Sequence, residues 1–188
     1  YPMNPDSAVQ PYVGAGINYT TFFEEDLTSA RKAQGFSDLE LNAEYLSFGR
    51  VGLVRASGLF PDGTGFHLPQ QDAMPEPLEI ADATVANQVV YLALPLASDN
   101  LAEMEWPEAA VTGRYRVTSV EVRDLHSIDG DSHAIDLAKV APRLMLERDD
   151  RSAYASLAVG RILEKRPDGS LVMDPNFLPT MLSVRAAP

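Results

Sequence analysis

The stretch Val51-Gly-Leu-Val-Arg-Ala-Ser-Gly-Leu-Phe-Pro-Asp-Gly-Thr-Gly-Phe-His-Leu-Pro69 predicts a strand, a tight turn and a second strand. An apolar run ends at Phe60. Pro61-Asp62-Gly63 follows it with strong turn chemistry, because proline presets φ, aspartate bonds its own backbone and glycine accepts a positive φ. Phe66 and Leu68, two residues apart, place two apolar side chains on one face of the second strand. The stretch therefore predicts a β-hairpin.

Beyond residue 35 the chain alternates strand-like runs with turns rich in proline, glycine and aspartate. The run Gln88–Leu96 is apolar on both faces, which is typical of a central buried strand, and Pro95 is expected to mark its end or an edge position. Arg143–Arg148 is followed by a predicted hairpin turn at Asp149–Ser152 and a returning strand at Ala153–Leu163. Since short turns rather than crossover helices join these strands, the sequence predicts an all-β fold, an antiparallel β-sandwich with long loops.

Two later strands are predicted with less regular patterns. In the strand predicted over residues 113–125 the apolar side chains switch from one face to the other, since Val117 belongs to one face and Val120 to the opposite face. A β-bulge near Thr118-Ser119 would account for this slip. Residues 177–184 supply the last strand of the sandwich.

The composition limits the classes of function. The chain has 188 residues, 45% of them hydrophobic, no cysteine and a net charge of -12. Without a run of about 18 apolar residues, no transmembrane helix and no direct membrane insertion are expected. The missing cysteine excludes disulfides and thiol catalysis and fits a reducing compartment. The negative charge argues against nucleic-acid binding. Since Tyr1 is not an initiator methionine, we expect a processed product or a fragment.

The first 34 residues follow a different pattern. Tyr12–Phe23 alternates an apolar or aromatic face with a small or polar face, as a membrane-barrel strand does and as a soluble strand can also do. Glu24-Glu25-Asp26 ends this strand as an acidic loop. Gly14-Ala15-Gly16 lacks the third glycine and the following helix of a dinucleotide-binding loop. The sequence thus predicts an appendage over residues 1–34 and a β-sandwich domain over residues 35–188.

Candidate catalytic and metal-binding residues do not form a recognisable site. Nitrogen and oxygen ligands cluster in one segment: His126, Asp129, Asp131, His133 and Asp136. Their spacing fits neither an EF-hand loop nor a helical histidine pair, so a polar surface loop is the preferred interpretation. No Gly-x-Ser-x-Gly motif is present, and His67 is expected on the surface of an edge strand. We therefore expect no enzyme activity, no metal and no cofactor.

Three loops are the predicted partner contacts, because loops on a rigid scaffold carry variable contacts. The first is Pro69–Pro77, with Gln70 and Gln71. The second is the acidic loop that contains Trp106, either an exposed aromatic anchor or a side chain folded back onto the sandwich edge. The third is the His126–Asp136 loop. The contact residues predicted from these loops are Gln70, Gln71, Trp106, Asp129 and His133.

From about Phe36 to Pro188 the chain resembles the N-terminal region of the TssK (ImpJ) family, baseplate subunits of the bacterial type VI secretion system. The matching motifs are Gly35-Phe-Ser-Asp-Leu-Glu-Leu41, Leu46-Ser-Phe-Gly-Arg-Val51, Leu59-Phe-Pro-Asp-Gly-Thr64, Tyr91-Leu-Ala-Leu-Pro-Leu96 and Asp174-Pro-Asn-Phe-Leu-Pro-Thr-Met-Leu-Ser-Val184. The resemblance implies a shoulder β-sandwich related to phage receptor-binding proteins. It also implies a trimer in the full-length protein, docking onto the baseplate proteins TssF and TssG, and a cytoplasmic location at the inner membrane.

The first 34 or so residues resemble another family. Asn4-Pro-Asp-Ser7 and Pro11-Tyr-Val-Gly-Ala-Gly-Ile-Asn-Tyr-Thr-Thr-Phe-Phe23 are similar to OmpW, an eight-stranded outer-membrane barrel, and the tryptophan- and glutamine-containing opening of TssK is missing. The two resemblances imply a chimeric chain joined near Gln34-Gly35. One or two strands cannot close a barrel, so we expect a frayed strand or an edge strand of the sandwich.

Two other functions remain alternatives to a structural assembly module of a baseplate. One is an outer-membrane β-barrel protein of OmpW type, which would require six or more lipid-facing strands. The many charges and prolines beyond residue 36 disfavour those strands. The other is a carbohydrate- or receptor-binding sandwich, which rests on fold analogy alone.

Overall fold

A computed structural model describes residues 33–82, 84–98, 104–106, 113–123 and 132–183, all within one compact unit, Arg31–Pro188. The strands are β1 (Gly35–Leu41), β2 (Arg50–Val51), β3 (Leu53–Leu59), β4 (Gly65–Leu68), β5 (Leu78–Glu79), β6 (Ala86–Pro95), β7 (Met104–Glu105), β8 (Tyr115–Arg123), β9 (Ser132–Val140), β10 (Arg143–Leu146), β11 (Tyr154–Lys165) and β12 (Leu171–Met173), and one short helix, α1 (Ala43–Ser47), follows β1. The predicted strand Tyr12–Phe23 lies outside the described residues.

The described strands form four sheets, in the orders β1-β3-β4, β10-β6-β11-β12, β2-β5 and β7-β8-β9. Their neighbours pair antiparallel except β7 and β8, which pair parallel. One hydrophobic core includes residues from the sheets β1-β3-β4 and β10-β6-β11-β12, so apolar faces of these two sheets are buried together. The prediction of an all-β fold with antiparallel sheets is confirmed.

The stretch Val51–Pro69 forms the predicted hairpin, with β3 and β4 as its strands. The Asp62 carboxylate accepts a hydrogen bond from the Thr64 amide at 3.0 Å, and Gly63 has a φ of 91°. The predicted first strand is interrupted at Gly52, where an added Cβ would lie 2.4 Å from the Tyr45 ring. Residues before this point leave the hairpin as β2 and pair with β5 instead.

The core combines an aromatic group from the hairpin side with aliphatic side chains of β6. Phe66 lies edge-on to Phe36, with ring centroids 6.0 Å apart, and stacks at a tilt on Phe60 at 4.6 Å. Leu92 and Leu94 of β6 are fully buried. The prediction of a central buried strand ending at Pro95 is confirmed, because β6 pairs on both sides and Pro95 is its last residue.

The turn at Asp149–Ser152 does not join a hairpin, so that prediction was wrong. Strand β6 lies between β10 and β11, and both pair antiparallel with it. The connection therefore crosses from one side of β6 to the other. The physical reason lies in β6: a strand that is apolar on both faces is central and needs hydrogen-bonding neighbours on both edges. Leu144 and Leu146 of β10 are buried.

The predicted bulge near Thr118-Ser119 is also absent. Strands β8 and β9 pair without a register shift from Tyr115↔Val140 to Arg123↔Ser132. Strands β8 and β9 form a hairpin, and Val117 is buried at its base. The residues of these strands further from the base are exposed on both faces. The change of phase in the sequence therefore marks a hairpin that leaves the protein body. It does not mark a bulge.

Two further predictions differ from the structure. The loop predicted over His126–Asp136 contains strand β9 from Ser132 onward. The strand predicted over residues 177–184 is reduced, within the part that is described, to a single parallel bridge between Met181 and Phe36. Pro179 removes a backbone donor from this last segment, which helps to explain why it forms no continuous ladder.

Candidate partner-contact surface

Arg114 fixes the loops at one end of the sandwich. Its side chain is only 6% exposed and donates to Asp62 at 2.7 Å, to the Thr64 hydroxyl and to the Pro95 carbonyl. The guanidinium thus connects the β3–β4 turn, the end of β6 and the start of β8. This contact holds the beginning of the projecting β8–β9 hairpin against the body.

The charge of Asp62 is stabilised in the folded protein. Burial alone would raise the pKa of this carboxyl. Hydrogen bonds from the Thr64 amide and the Arg114 guanidinium outweigh burial, so the pKa lies below its usual value of 3.8. Burial would also lower the pKa of Arg114, but its bonds to Tyr115 and Asp62 raise it. Both groups therefore remain charged at neutral pH.

The predicted contact loop Pro69–Pro77 is held in place by Asp72. One carboxylate oxygen accepts from the His67 amide at 2.8 Å, and the other accepts from the Val140 amide at 3.0 Å. Gln70 and Gln71 are exposed at the start of this loop. The loop has no strand or helix of its own, as predicted, yet its backbone is tied to β4 and β9.

The far end of this loop forms one wall of a cleft of about 370 Å³. We name it the Arg143 cleft. Its lining consists of Pro75–Glu79, Glu105, Arg116 and Ala141–Leu144. Two loops predicted as contacts therefore meet here, since Glu105 belongs to the segment that carries Trp106.

Two arginines line the Arg143 cleft. Arg116 is paired with Glu105 at 3.2 Å. Arg143 lies 5.9 Å from the centroid of the Tyr154 ring, and its buried Nε has no acceptor among the described residues. Because this Nε has almost no accessible surface, it is not itself a docking point for a partner. Arg143 nevertheless brings a guanidinium to the cleft lining, and guanidinium groups pair well with carboxylates.

Trp106 directly follows the cleft wall and is 52% exposed. Of the two interpretations of its sequence context, the structure shows the exposed side chain. Half-exposed tryptophans are favourable anchors because they bury a large apolar area with few rotatable bonds. That Trp106 contacts a partner stays a prediction.

The third predicted loop is not brought to the cleft. His133 lies in β9 opposite Val122, seven residues from Val140, or about 23 Å along an extended strand. Asp129 lies outside the described residues, as do His126 and Asp131. In the described part of the chain, no three histidine, aspartate or glutamate side chains are grouped as metal ligands. His67 is exposed on β4, the edge strand on which it was predicted.

Sequence reasoning missed both arginines that organise this end of the molecule. Arg114 directly precedes β8 and Arg143 begins β10, and nothing in their spacing separates them from the other basic residues. Their roles depend on contacts with residues distant in sequence, such as Asp62 and Tyr154. Within the residues described, no helix is long and apolar enough to cross a membrane.

Comparison with known proteins gives matches that cover most of the chain. The family model for bacterial type VI secretion, VC_A0110, EvfL, ImpJ and VasE matches residues 25–188. The chain is 37% identical over 155 residues to the type VI secretion system baseplate component TssK1 of Pseudomonas aeruginosa, which covers 82% of this chain and 35% of TssK1. The chain thus spans about a third of the length of this relative.

A second similarity is shorter. Over 47 residues the chain is 47% identical to Outer membrane protein W of Salmonella typhi, which covers 25% of this chain and 22% of that protein. The same protein of Escherichia coli is 49% identical over 47 residues, with the same shares of both chains. Both resemblances recognised in the sequence are thus found again.

Solved structures show the same fold. A crystal structure of TssK superposes with a TM-score of 0.75 at 36% identity and covers 83% of this chain and 35% of that one. A TssK-TssF-TssG baseplate subcomplex of the type VI secretion system, determined by cryo-electron microscopy, superposes with a TM-score of 0.70 at 23% identity, covering 83% and 52%. The second likeness supports the fold alone.

Proposed function

Because the chain belongs to the bacterial type VI secretion family described by the names VC_A0110, EvfL, ImpJ and VasE, we propose that it is a structural assembly module of a secretion baseplate. In this role it docks onto the baseplate proteins TssF and TssG. The full-length protein associates as a trimer in the cytoplasm, at the inner membrane. The proposal includes no catalytic step and no cofactor.

The similarity to TssK1 supports the baseplate role, since TssK1 is described as a baseplate component. The partners follow from the related TssK that was solved together with TssF and TssG. We also propose that residues 35–188 are the assembly domain and that residues 1–34 are an appendage. A chain that begins at residue 35 should then melt at the same temperature as the full chain.

The observation that carries the docking proposal is the convergence of two loops at the Arg143 cleft. Trp106 supplies an exposed apolar anchor beside the cleft wall, and Arg143 supplies a guanidinium to the cleft lining. Interfaces concentrate their binding energy in such tryptophan and arginine side chains. A partner segment that covers Trp106 and places a carboxylate or carbonyl oxygen in the cleft would use both.

The test is a pull-down of TssF and TssG with the 188-residue chain and two variants. Trp106→Ala should weaken retention by about tenfold or more, as expected for loss of an interface anchor. Phe48→Ala is the matched control, because Phe48 is another exposed aromatic, at 72%, and does not line the cleft.

The outcomes of the pull-down separate two levels of the proposal. Failure of the folded wild-type chain to retain TssF or TssG would overturn the baseplate docking. Equal losses for Trp106→Ala and Phe48→Ala would overturn the assignment to the Arg143 cleft. Thermal melting of each variant checks that the fold is intact.

A further inference from the structure

The sheet β10-β6-β11-β12 ends at β10, which pairs with β6 on one side only. We call the other side of β10 its free edge. The Glu147 amide, directly after β10, donates to the Val89 carbonyl at 2.8 Å, so the backbone of Glu147 faces β6. The Leu146 amide instead donates to the Asp149 carboxylate at 2.7 Å, and the Leu146 carbonyl accepts from the Asp149 amide at 3.1 Å. The backbone of Leu146 therefore faces the free edge.

Leu144 is the residue at which this edge is open. Backbone groups of an antiparallel strand alternate in direction, so the N–H and C=O of Leu144 face the free edge as those of Leu146 do. Within the described residues, no hydrogen bond to either group of Leu144 is found. On its two sides Asp149 occupies Leu146, and Pro142 has no N–H to offer. An unpaired donor and acceptor on a sheet edge are suited to the addition of another strand.

The free edge of β10 lines the Arg143 cleft, and so does the edge of β5. The Ile80 amide donates to the Gly49 carbonyl at 3.0 Å, so by the same alternation the backbone of Glu79 faces away from β2. Glu79 is exposed, however, whereas Leu144 is 6% exposed and belongs to the core. A residue that pairs with Leu144 would extend the apolar face of the sheet, while one that pairs with Glu79 would lie in water. The edge of β10 is therefore the favoured one.

The size of the cleft agrees with the length of the open edge. An extended residue in packed sheets occupies about 160 Å³, given its rise, the spacing of strands and the spacing of sheets. The cleft volume of about 370 Å³ thus accommodates about two residues of an extended chain. A short added strand fits this space, whereas a helix, with a diameter of about 10 Å, would need more.

We propose that an extended segment of the docking partner adds to the free edge of β10 as a short antiparallel strand. This inference rests on the proposed function, because it states how TssF or TssG is held in the Arg143 cleft. One partner residue exchanges two hydrogen bonds with Leu144, which is the pattern of an antiparallel pair. That partner residue has an apolar side chain, since paired residues share a face, and it is not a proline. The main-chain bonds fix the direction of the segment, and Trp106 adds an apolar anchor beside it.

Amide hydrogen exchange, resolved by residue, tests the added strand in the 188-residue chain alone and bound to TssF and TssG. The Leu144 amide should exchange about tenfold more slowly or slower still in the complex, because it gains an acceptor. Met145 is the matched control, since its amide faces β6 and is bonded with and without the partner. Unchanged exchange at Leu144 in a complex that forms, or protection of the Glu79 amide instead, would overturn the proposal.

An amide-to-ester replacement tests the same bond without changing a side chain. Incorporating the α-hydroxy analogue of leucine at position 144 removes one donor and should weaken retention of TssF and TssG about fivefold. The same replacement at Leu146 removes the bond to Asp149, so it should lower the melting temperature and leave retention unchanged. Each ester also weakens the preceding carbonyl as an acceptor, so the two variants are compared with each other. Equal retention by both esters would overturn the proposal.

The outcomes separate this inference from the docking proposal. If the wild-type chain retains neither TssF nor TssG, the docking proposal and the added strand both fail. If wild type retains them, Trp106→Ala weakens retention and the Leu144 ester does not, docking at the Arg143 cleft stands and only the added strand is overturned.

Discussion

Arg114 and Asp62 form an ion pair that matters because one partner is almost fully buried. Arg114 is 6% exposed, and its remaining bonds go to Thr64, to the Pro95 carbonyl and to the Tyr115 hydroxyl. Removing one partner of a buried pair leaves an uncompensated charge and costs about 3 kcal/mol or more. The exposed pairs, such as Arg50–Glu79, are worth far less because water and side-chain entropy offset them.

The first prediction concerns Asp62→Asn. It should lower the free energy of unfolding at pH 7 by about 3 kcal/mol, because Arg114 loses its buried counter-ion. Since the pKa of Asp62 is depressed in the folded protein, its contribution is complete above the unfolded value of 3.8 and is lost as pH falls through the folded value. Denaturant unfolding measured from pH 7 to pH 3 should show that the difference in free energy of unfolding between Asp62→Asn and wild type becomes smaller as the pH falls.

The free energy of unfolding of Asp62→Asn must be compared with that of wild type at each pH, because acid also protonates other carboxylates. Asp82, Asp150 and Asp168 each accept hydrogen bonds from the residue two positions later in the chain. These hydrogen bonds lower the pKa of all three carboxyls, and the pKa of Asp82 falls to about 2. Asp150→Asn is a suitable control for the size of the loss at pH 7, because Asp150 is exposed and forms no ion pair within the described residues. A gap between Asp62→Asn and wild type that stays constant down to pH 3 would contradict the lowered pKa.

The second prediction separates backbone conformation from packing at two glycines. Gly63 has a φ of 91°, while Gly65 has no positive φ, and an added Cβ would meet nothing within 4 Å at either position. Gly63→Ala should therefore cost about 1 kcal/mol through backbone strain alone. Gly65→Ala, in β4, should be neutral or slightly stabilising in thermal melting. Equal effects at the two positions would mean that the turn does not require its positive φ.

At the scale of elements, β1 approaches β3 more closely than a side chain allows. A Cβ added to Gly58 would lie 2.2 Å from the Gly35 carbonyl oxygen and 2.9 Å from the Phe36 Cα. These are backbone atoms, which cannot rotate away. The two strands therefore depend on glycine at this point of the pairing, and the register is sensitive to substitution there.

The third prediction follows from this close approach. Gly58→Ala should lower the free energy of unfolding by about 2 kcal/mol or more, because the strands must move apart. The same substitution at Gly65 adds a methyl group to the strand on the other side of β3 and meets no atom. Chemical denaturation of both variants compares them directly. A loss below about 0.5 kcal/mol for Gly58→Ala would contradict the contact, since changes of that size are typical of surface sites.

Individual elements show how far sequence patterns reach. The turn at Pro61-Asp62-Gly63 and the strand β6 were predicted because turn chemistry and continuous apolar runs are local signals. The connection from β10 to β11 was misassigned because strand order depends on which edges need hydrogen-bonding partners, and no local pattern reports this. The phase change at Val120 was detected correctly, but a bulge and a hairpin that leaves the body produce the same pattern.

At the scale of the molecule, the predicted contact loops divide into two regions. The loops around Gln70 and Trp106 belong to the end of the sandwich that contains the Arg143 cleft, whereas His133 lies on the projecting hairpin. Sequence reasoning could propose exposed loops and one tryptophan. It could not identify Arg143, because the cleft that this residue lines exists only once segments distant in sequence have folded together.

The last prediction tests which of these two regions binds TssF and TssG. Trp106→Ala should weaken retention of these partners by about tenfold or more, because it removes an exposed anchor beside the Arg143 cleft. His133→Ala, on the projecting hairpin, should leave retention unchanged. Distant sites without shared partners have additive effects, usually within about 0.5 kcal/mol, so the double variant should lose no more than Trp106→Ala alone. A pull-down of all three variants in parallel measures this, and equal losses for Trp106→Ala and His133→Ala would contradict docking at the cleft.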